Sequence, residues 1–130
     1  VVEHLQEPSG YLSAIYQSLE DGGKAVVMTP SWSHTYWGPF YIDYTHVTPF
    51  TAYSLQSALE MAGFENVNVK YFYQLPVLWK YPWLTPFIKL FSKLPLPYAP
   101  YNKVPWSVPN KFNKLIRFSK EPMLMAIVEK

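Results

Sequence analysis

The sequence predicts an α/β fold, and three observations carry that expectation. The pair Gly22-Gly23 stops a helical pattern and leads directly into Lys24-Ala25-Val26-Val27-Met28-Thr29-Pro30, a β-branched run without polar alternation, as expected of a strand buried on both faces of a sheet. Upstream, Val1-Val2-Glu3-His4-Leu5 reads as the carboxyl end of a second buried strand, so that strand, helix and strand make one right-handed crossover unit. Downstream, residues 66–73 alternate with period two and residues 123–128 are apolar throughout, which adds two strands expected to pair antiparallel, the last one more central. Ligands of open α/β sheets bind beyond the carboxyl ends of strands, so chemistry is expected at Glu3, His4, Thr29 and the residues after Pro30.

The helix between the first two strands is expected over residues 8–20. Pro8 suits a first helical position, and Leu12, Ile15, Tyr16 and Leu19 recur on one face. Residues 31–49 form a long loop crowded with Trp32, Tyr36, Trp37, Phe40, Tyr41 and Tyr44, too long and too aromatic for a mere connection. Thr51 caps a second helix whose buried stripe is Ala52, Leu55, Leu59 and Ala62; Gly63 stops it, and Phe64 packs beneath. In the next strand Val67, Val69, Tyr71 and Tyr73 alternate with Asn68, Lys70 and Phe72.

Residues 74–120 differ from all of this. Eight prolines interrupt them, which rules out sheet, but two short helices fit. Thr85-Pro86 opens one with Phe87, Leu90, Phe91 and Leu94 apolar and Lys89 and Lys93 basic. Pro109 opens the other, with Phe112, Leu115 and Ile116 apolar and Lys111, Lys114 and Arg117 basic. One domain is therefore expected, with residues 1–73 and 121–130 as its core and residues 74–120 as a basic, aromatic insertion.

Composition agrees with a globular chain: of 130 residues 49% are hydrophobic, enough for a core. The absence of cysteine excludes disulfides and thiolate metal sites. A net charge of +2 hides an asymmetry: residues 1–65 hold seven acids and one base, whereas residues 66–130 hold ten bases and two acids. No signal peptide is recognisable, and no apolar run approaches the roughly 20 residues of a spanning helix, so a cytoplasmic protein, at most peripheral to a membrane, is expected. Val1 falls inside a strand pattern without an initiator methionine, and the chain is expected to be a fragment.

Three stretches resemble the C-terminal half of a class I, Rossmann-like S-adenosylmethionine-dependent methyltransferase of the small-molecule and lipid-modifying kind. They are Val1-Val2-Glu3-His4-Leu5 with Pro8 following; Leu19-Glu20-Asp21-Gly22-Gly23 leading to Thr29-Pro30; and the run from Asp43 through Tyr44-Thr45-His46-Val47-Thr48-Pro49-Phe50 to Thr51, with Ser54-Leu55 and Ala62-Gly63-Phe64 beyond. The resemblance covers residues 1–73 and the last strand and implies strands four to seven of a seven-stranded sheet with the last strand antiparallel. It implies S-adenosylmethionine as cofactor. The glycine-rich turn and the ribose-binding acid of that family would lie upstream, so this chain alone is expected to be inactive and the activity to belong to the full-length protein.

Under the resemblance, Glu3 and His4 line the cofactor and acceptor cleft. His4 could serve as a general base, since imidazole titrates near working pH; alternatively both residues only cap the following helix. Asp43 and His46 face the same cleft, where Asp43 orients His46 or binds an acceptor hydroxyl; alternatively Asp43 terminates a loop while His46 and Thr48 cap the helix beginning near Thr51. His34 reads as a solvated loop residue. Trp32, Tyr36, Trp37 and Tyr41 are the expected acceptor-binding wall. No metal ligand is assigned, although some relatives bind Mg²⁺ through a Glu-x-x-Glu-His pattern whose last two residues match Glu3 and His4, with His46 or His34 available to complete it.

The expected reaction is methyl transfer to an oxygen or carbon of a small hydrophobic or lipid-linked acceptor. A non-catalytic membrane-surface or protein-interaction domain on the same half-fold is the alternative, and a nicotinamide oxidoreductase a distant third, because no dinucleotide fingerprint is present. For the basic insertion, peripheral membrane contact is favoured over nucleic acid, against a plain solvated lysine face over an aromatic core. An unpaired sheet edge would favour self-association.

Overall fold

Three strands form one sheet: β1 (Lys24–Pro30), β2 (Val69–Phe72) and β3 (Met123–Glu129), in the order β1-β3-β2, with both pairings antiparallel. The last strand in sequence thus lies at the centre, as its unbroken apolar composition predicts. This is a computed structural model describing residues 1–99 and 111–130, and the chain divides into two units, residues 1–72 with 123–130 and residues 73–122. Its mixed α/β architecture with a small antiparallel sheet matches the expected fold class. Pro109, expected to open a helix, lies outside the described residues.

The first unit packs α1 (Pro8–Ser18) and α3 (Ala52–Met61) on one face of the sheet. Leu12, Leu55, Leu59, Phe64 and Val67 meet Val27, Leu124, Ala126 and Val128 in a single apolar cluster. Capping is local and legible: Glu7 accepts from the Ser9 N–H at the start of α1, while Thr51 and Ser54 make a reciprocal box at the start of α3. Beyond α3, Gly63 has φ +114°, and a Cβ there would sit 3.0 Å from the Tyr16 ring. Gly63→Ala therefore incurs backbone strain and a clash together, and is expected to lower unfolding free energy by about 1–3 kcal/mol in denaturant titration.

Two sequence expectations are corrected here. Residues 2–4 are not the end of a strand. They form a 3₁₀ turn (Val2–His4) in which the His4 and Leu5 N–H groups donate to the Val1 and Val2 carbonyls, while the Glu3 carbonyl accepts from the Val47 and Thr48 N–H groups. These bonds tie the turn to the segment at Val47 and Thr48, and Val2 still reaches the core. Strand β1 is also not buried on both faces. Val26 and its cross-strand partner Ile127 are 59% and 58% exposed, because α1 and α3 both cover the face that carries Val27 and Leu124.

The aromatic stretch after β1 is not an open loop either. It contains the one-turn helix α2 (Trp32–Thr35) and a 3₁₀ turn (Pro39–Ile42), with Phe40 buried. Ser31 and Phe50 form an isolated parallel bridge that closes the segment at its base.

The second unit comprises α4 (Pro76–Lys80), a 3₁₀ turn (Pro82–Leu84), α5 (Thr85–Ser92) and α6 (Lys111–Lys120). Prolines stand at the N-terminal positions of the first three, where the missing N–H costs nothing. Lys120 ties α6 to the end of α5 by donating to the carbonyls of Ser92 and Leu94. Glu121 accepts from the Tyr98 hydroxyl (2.6 Å) and from Arg117 Nε (3.0 Å). Burial, then the bond to Glu121, holds the Tyr98 phenol well above its ordinary range.

Candidate active site

The carboxyl end of β1 brings Glu3, His4, Asp43 and His46 together. Thr29, fully buried near the end of β1, donates its hydroxyl to Glu3 Oε2 at 3.2 Å. Burial pushes the Glu3 carboxyl up. The Thr29 hydroxyl and the backbone N–H of Glu3 itself act the other way and pull it down. A buried carboxyl group therefore sits at this end of the sheet, with Oε1 3.5 Å from His4 Nε2.

The protons on both imidazoles follow from their partners. Thr45 donates its single hydroxyl proton to Asp43 Oδ1 at 2.6 Å, so at 2.7 Å from His4 Nδ1 the same oxygen can only accept. His4 consequently carries its proton on Nδ1, and in the neutral ring Nε2 presents a lone pair. His46 Nδ1 lies 2.8 Å from the Phe40 carbonyl, which only accepts, so His46 has the same tautomer and its Nε2 faces Asp43 Oδ2 at 3.8 Å. The two rings meet edge to face with centroids 4.7 Å apart.

Asp43 is exposed. The side-chain hydrogen bond from Thr45, followed by the one from its backbone N–H, holds the Asp43 carboxyl below the usual range. Asp43, Thr45 and His4 thus form a relay in which a carboxylate, through one hydroxyl, fixes the tautomer and orientation of an imidazole. Thr45 was not singled out from sequence. The Asp-x-Thr spacing, which places a hydroxyl two residues after a carboxylate, was the available signal.

The helix-capping alternatives for these residues are not what the geometry shows. Glu7 caps α1 and Thr51 caps α3, while Thr48 donates to the Leu5 carbonyl. His34 is not a solvated loop residue but half-buried in α2, bonded to Ser31 Oγ and packed edge-on against Tyr71; burial lowers its pKa below the ordinary 6.5. Among the described residues, Glu3, His4 and His46 offer ligand atoms all within 4.8 Å of one another, a set that could hold a metal ion and that does not include His34.

Of the expected acceptor wall, Trp32, Tyr36 and Tyr41 come together: the Trp32 indole N–H donates to the Tyr41 hydroxyl and its ring packs on Tyr36. Trp37 instead donates to the His34 carbonyl. Phe40 contacts both Tyr41 and His46, so the aromatic surface is continuous with the imidazole pair. Tyr36, Trp37 and Tyr41 are largely exposed, which leaves this wall open to a ligand.

A family model described as "Methyltransferase domain" matches residues 1–69, the stretch that holds every residue of this cluster. Among solved structures, a SAM dependent methyltransferase from Archaeoglobus fulgidus is similar at 23% identity and a TM-score of 0.55 over 99% of this chain and 55% of its own. That likeness is one of fold, and the chain spans about half the length of that neighbour. No curated protein matches. The family match over more than half of its residues shows that the chain belongs to the methyltransferase domain family.

Proposed function

We propose that this chain forms the acceptor side of an S-adenosylmethionine-dependent methyltransferase whose full-length form methylates an oxygen or carbon of a hydrophobic or lipid-linked small molecule. The observation that carries the proposal is the relay Asp43–Thr45–His4, which puts the proton on His4 Nδ1 and leaves Nε2 as a lone pair at the carboxyl end of β1, 3.5 Å from Glu3 Oε1 and beside an exposed aromatic surface. The donor set fits the acceptor side of such a cofactor. The chain holds no Gly-x-Gly turn, so the adenosine cradle would come from another part of the protein.

When bound, the cofactor supplies an electrophilic methyl group. His4 Nε2 takes the acceptor hydroxyl proton as the oxygen becomes a nucleophile, and Glu3 Oε1 pairs with the imidazolium so formed. Asp43 and Thr45 hold the ring, and Trp32, Tyr36 and Tyr41 offer an apolar face against which the acceptor is oriented. The test is transfer of labelled methyl from S-adenosylmethionine by the full-length protein to fractionated small molecules and lipid extracts. Label in an apolar product is the expected result; label in protein or nucleic acid alone would overturn the acceptor assignment.

A second reading rests on the same three ligand atoms. A divalent cation bound by Glu3, His4 and His46 would occupy the His4 lone pair, so metal binding and proton acceptance exclude one another at that nitrogen. Chelator decides between them: activity that survives prolonged EDTA treatment supports the base, and activity restored only by added Mg²⁺, Mn²⁺ or Zn²⁺ supports the metal.

A further inference from the structure

The second unit displays an apolar stripe on its surface. Phe87 and Leu90 in α5, Trp83 in the preceding 3₁₀ turn and Leu94 just past the helix recur at intervals of four, three and four and are 47–67% exposed. Trp83 and Phe87 pack edge to face at 6.3 Å, so the start of the stripe is a continuous aromatic ridge. The other side of α5, carrying Ile88 and Phe91, is half-buried, so the helix presents this stripe outward while its second apolar face is partly covered.

Charge around the stripe has one sign. Residues 73–122 contain eight bases and a single acid, Glu121, whose carboxylate is taken by Arg117 and Tyr98. Lys80, Lys89, Lys93, Lys111 and Lys114 are exposed, and Lys89 lies in α5 with Lys93 at its C-cap. An apolar ridge beside uncompensated lysines matches a boundary with hydrocarbon below and phosphate above, because a lysine stem can lie along the apolar surface while its ammonium reaches the headgroups.

We propose that this stripe docks the protein on an anionic lipid surface, with α5 lying in the plane of the interface. No helix among the described residues is long and apolar enough to cross a membrane, so the contact is one of surface. A second copy fits poorly, since packing the stripe on itself would bring lysines against lysines. Single-stranded nucleic acid fits poorly as well: bases stack on aromatic rings, and here Leu90 and Leu94 make up half of the ridge.

The proposal is independent of methyl transfer, and its test needs neither cofactor nor acceptor. The protein is sedimented with vesicles of phosphatidylcholine alone and of phosphatidylcholine with phosphatidylserine, over a range of salt. Binding to the anionic vesicles that weakens as salt rises is expected. Phe87→Asp with Leu90→Asp alters only exposed side chains and is expected to lower partitioning at least about tenfold with the circular dichroism spectrum unchanged. Lys89→Glu and Lys93→Glu are expected to lower it by at least about fivefold each on anionic vesicles, with little change on phosphatidylcholine. No binding to anionic vesicles at low salt, or equal binding by the Phe87→Asp, Leu90→Asp protein, would overturn the proposal. So would a dimer in light scattering that the double substitution dissociates while vesicle binding persists.

Discussion

In the full-length protein, replacing His4 with Gln is expected to lower kcat of the proposed methyl transfer by about 100- to 10,000-fold, the range that a positioned general base contributes. Gln keeps the polarity of the position but offers no basic nitrogen. Binding of acceptor and cofactor should be far less affected, since the aromatic wall and Glu3 remain. Thr45→Val tests the relay through a different residue. Without the hydroxyl, His4 Nδ1 loses its partner and Asp43 is disconnected from the ring. A loss in kcat of about 10- to 100-fold is expected, restored by Thr45→Ser, with the pH profile of kcat displaced because the tautomer is no longer fixed. An unchanged kcat in His4→Gln, measured on a protein shown to be folded, would remove His4 from the chemistry and leave the cluster to the metal reading.

Much of the candidate site's place in the fold was legible in the sequence because it depends on local rules. Thr29 and Pro30 end a strand, ligands gather at such ends, and the Asp43 to Thr51 run carries its own turn and cap chemistry. What could not be read was the pairing across sequence. His4 and Thr45 are 41 residues apart and Glu3 and Thr29 are 26 apart, and no periodicity places one beside the other. The alternative in which Glu3 and His4 cap the next helix rested on nearness in sequence. The structure gives that role to Glu7, four positions after Glu3, and sends both side chains to distant partners.

The fold shows the same division. Gly63, Thr51 and Pro8 punctuate helices where their backbone chemistry requires, so both major helices were found close to their bounds. Strand β1 misled because an apolar strand reports the residues it contains, not which of its faces finds a cover. Val26 and Val27 are the same side chain on opposite faces, one exposed and the other in the core. The turn at Val2–His4 misled for a related reason: a few apolar residues are compatible with any backbone that buries one of them, and Val2 is buried without strand geometry.

Leu124→Ala is expected to be the most damaging single truncation of the core. Leu124 is fully buried near the start of β3, the central strand of the sheet, with Thr29 of β1 opposite it on one side and Tyr71 of β2 on the other. Removing its branched end leaves a cavity that two flanking strands and the helices over the sheet cannot close without breaking register, so the loss falls in the range of about 2–5 kcal/mol typical of buried leucines. For a chain of this size that lowers Tm by roughly 5–15 °C, a large share of a typical domain's stability. Ile127→Ala, on the same strand but facing outward, is the control, with a change within about 0.5 kcal/mol expected for an exposed position. The damage should also reach the site. Thr29, paired with Leu124 in the register, donates the hydroxyl that holds Glu3, so relaxation of β1 toward the cavity loosens the carboxylate beside His4. In the full-length protein carrying Leu124→Ala, below its Tm, the proposed methyl transfer should therefore fall by more than the folded fraction accounts for, whereas equal falls in activity and folded fraction would show that the sheet and the site are mechanically separate.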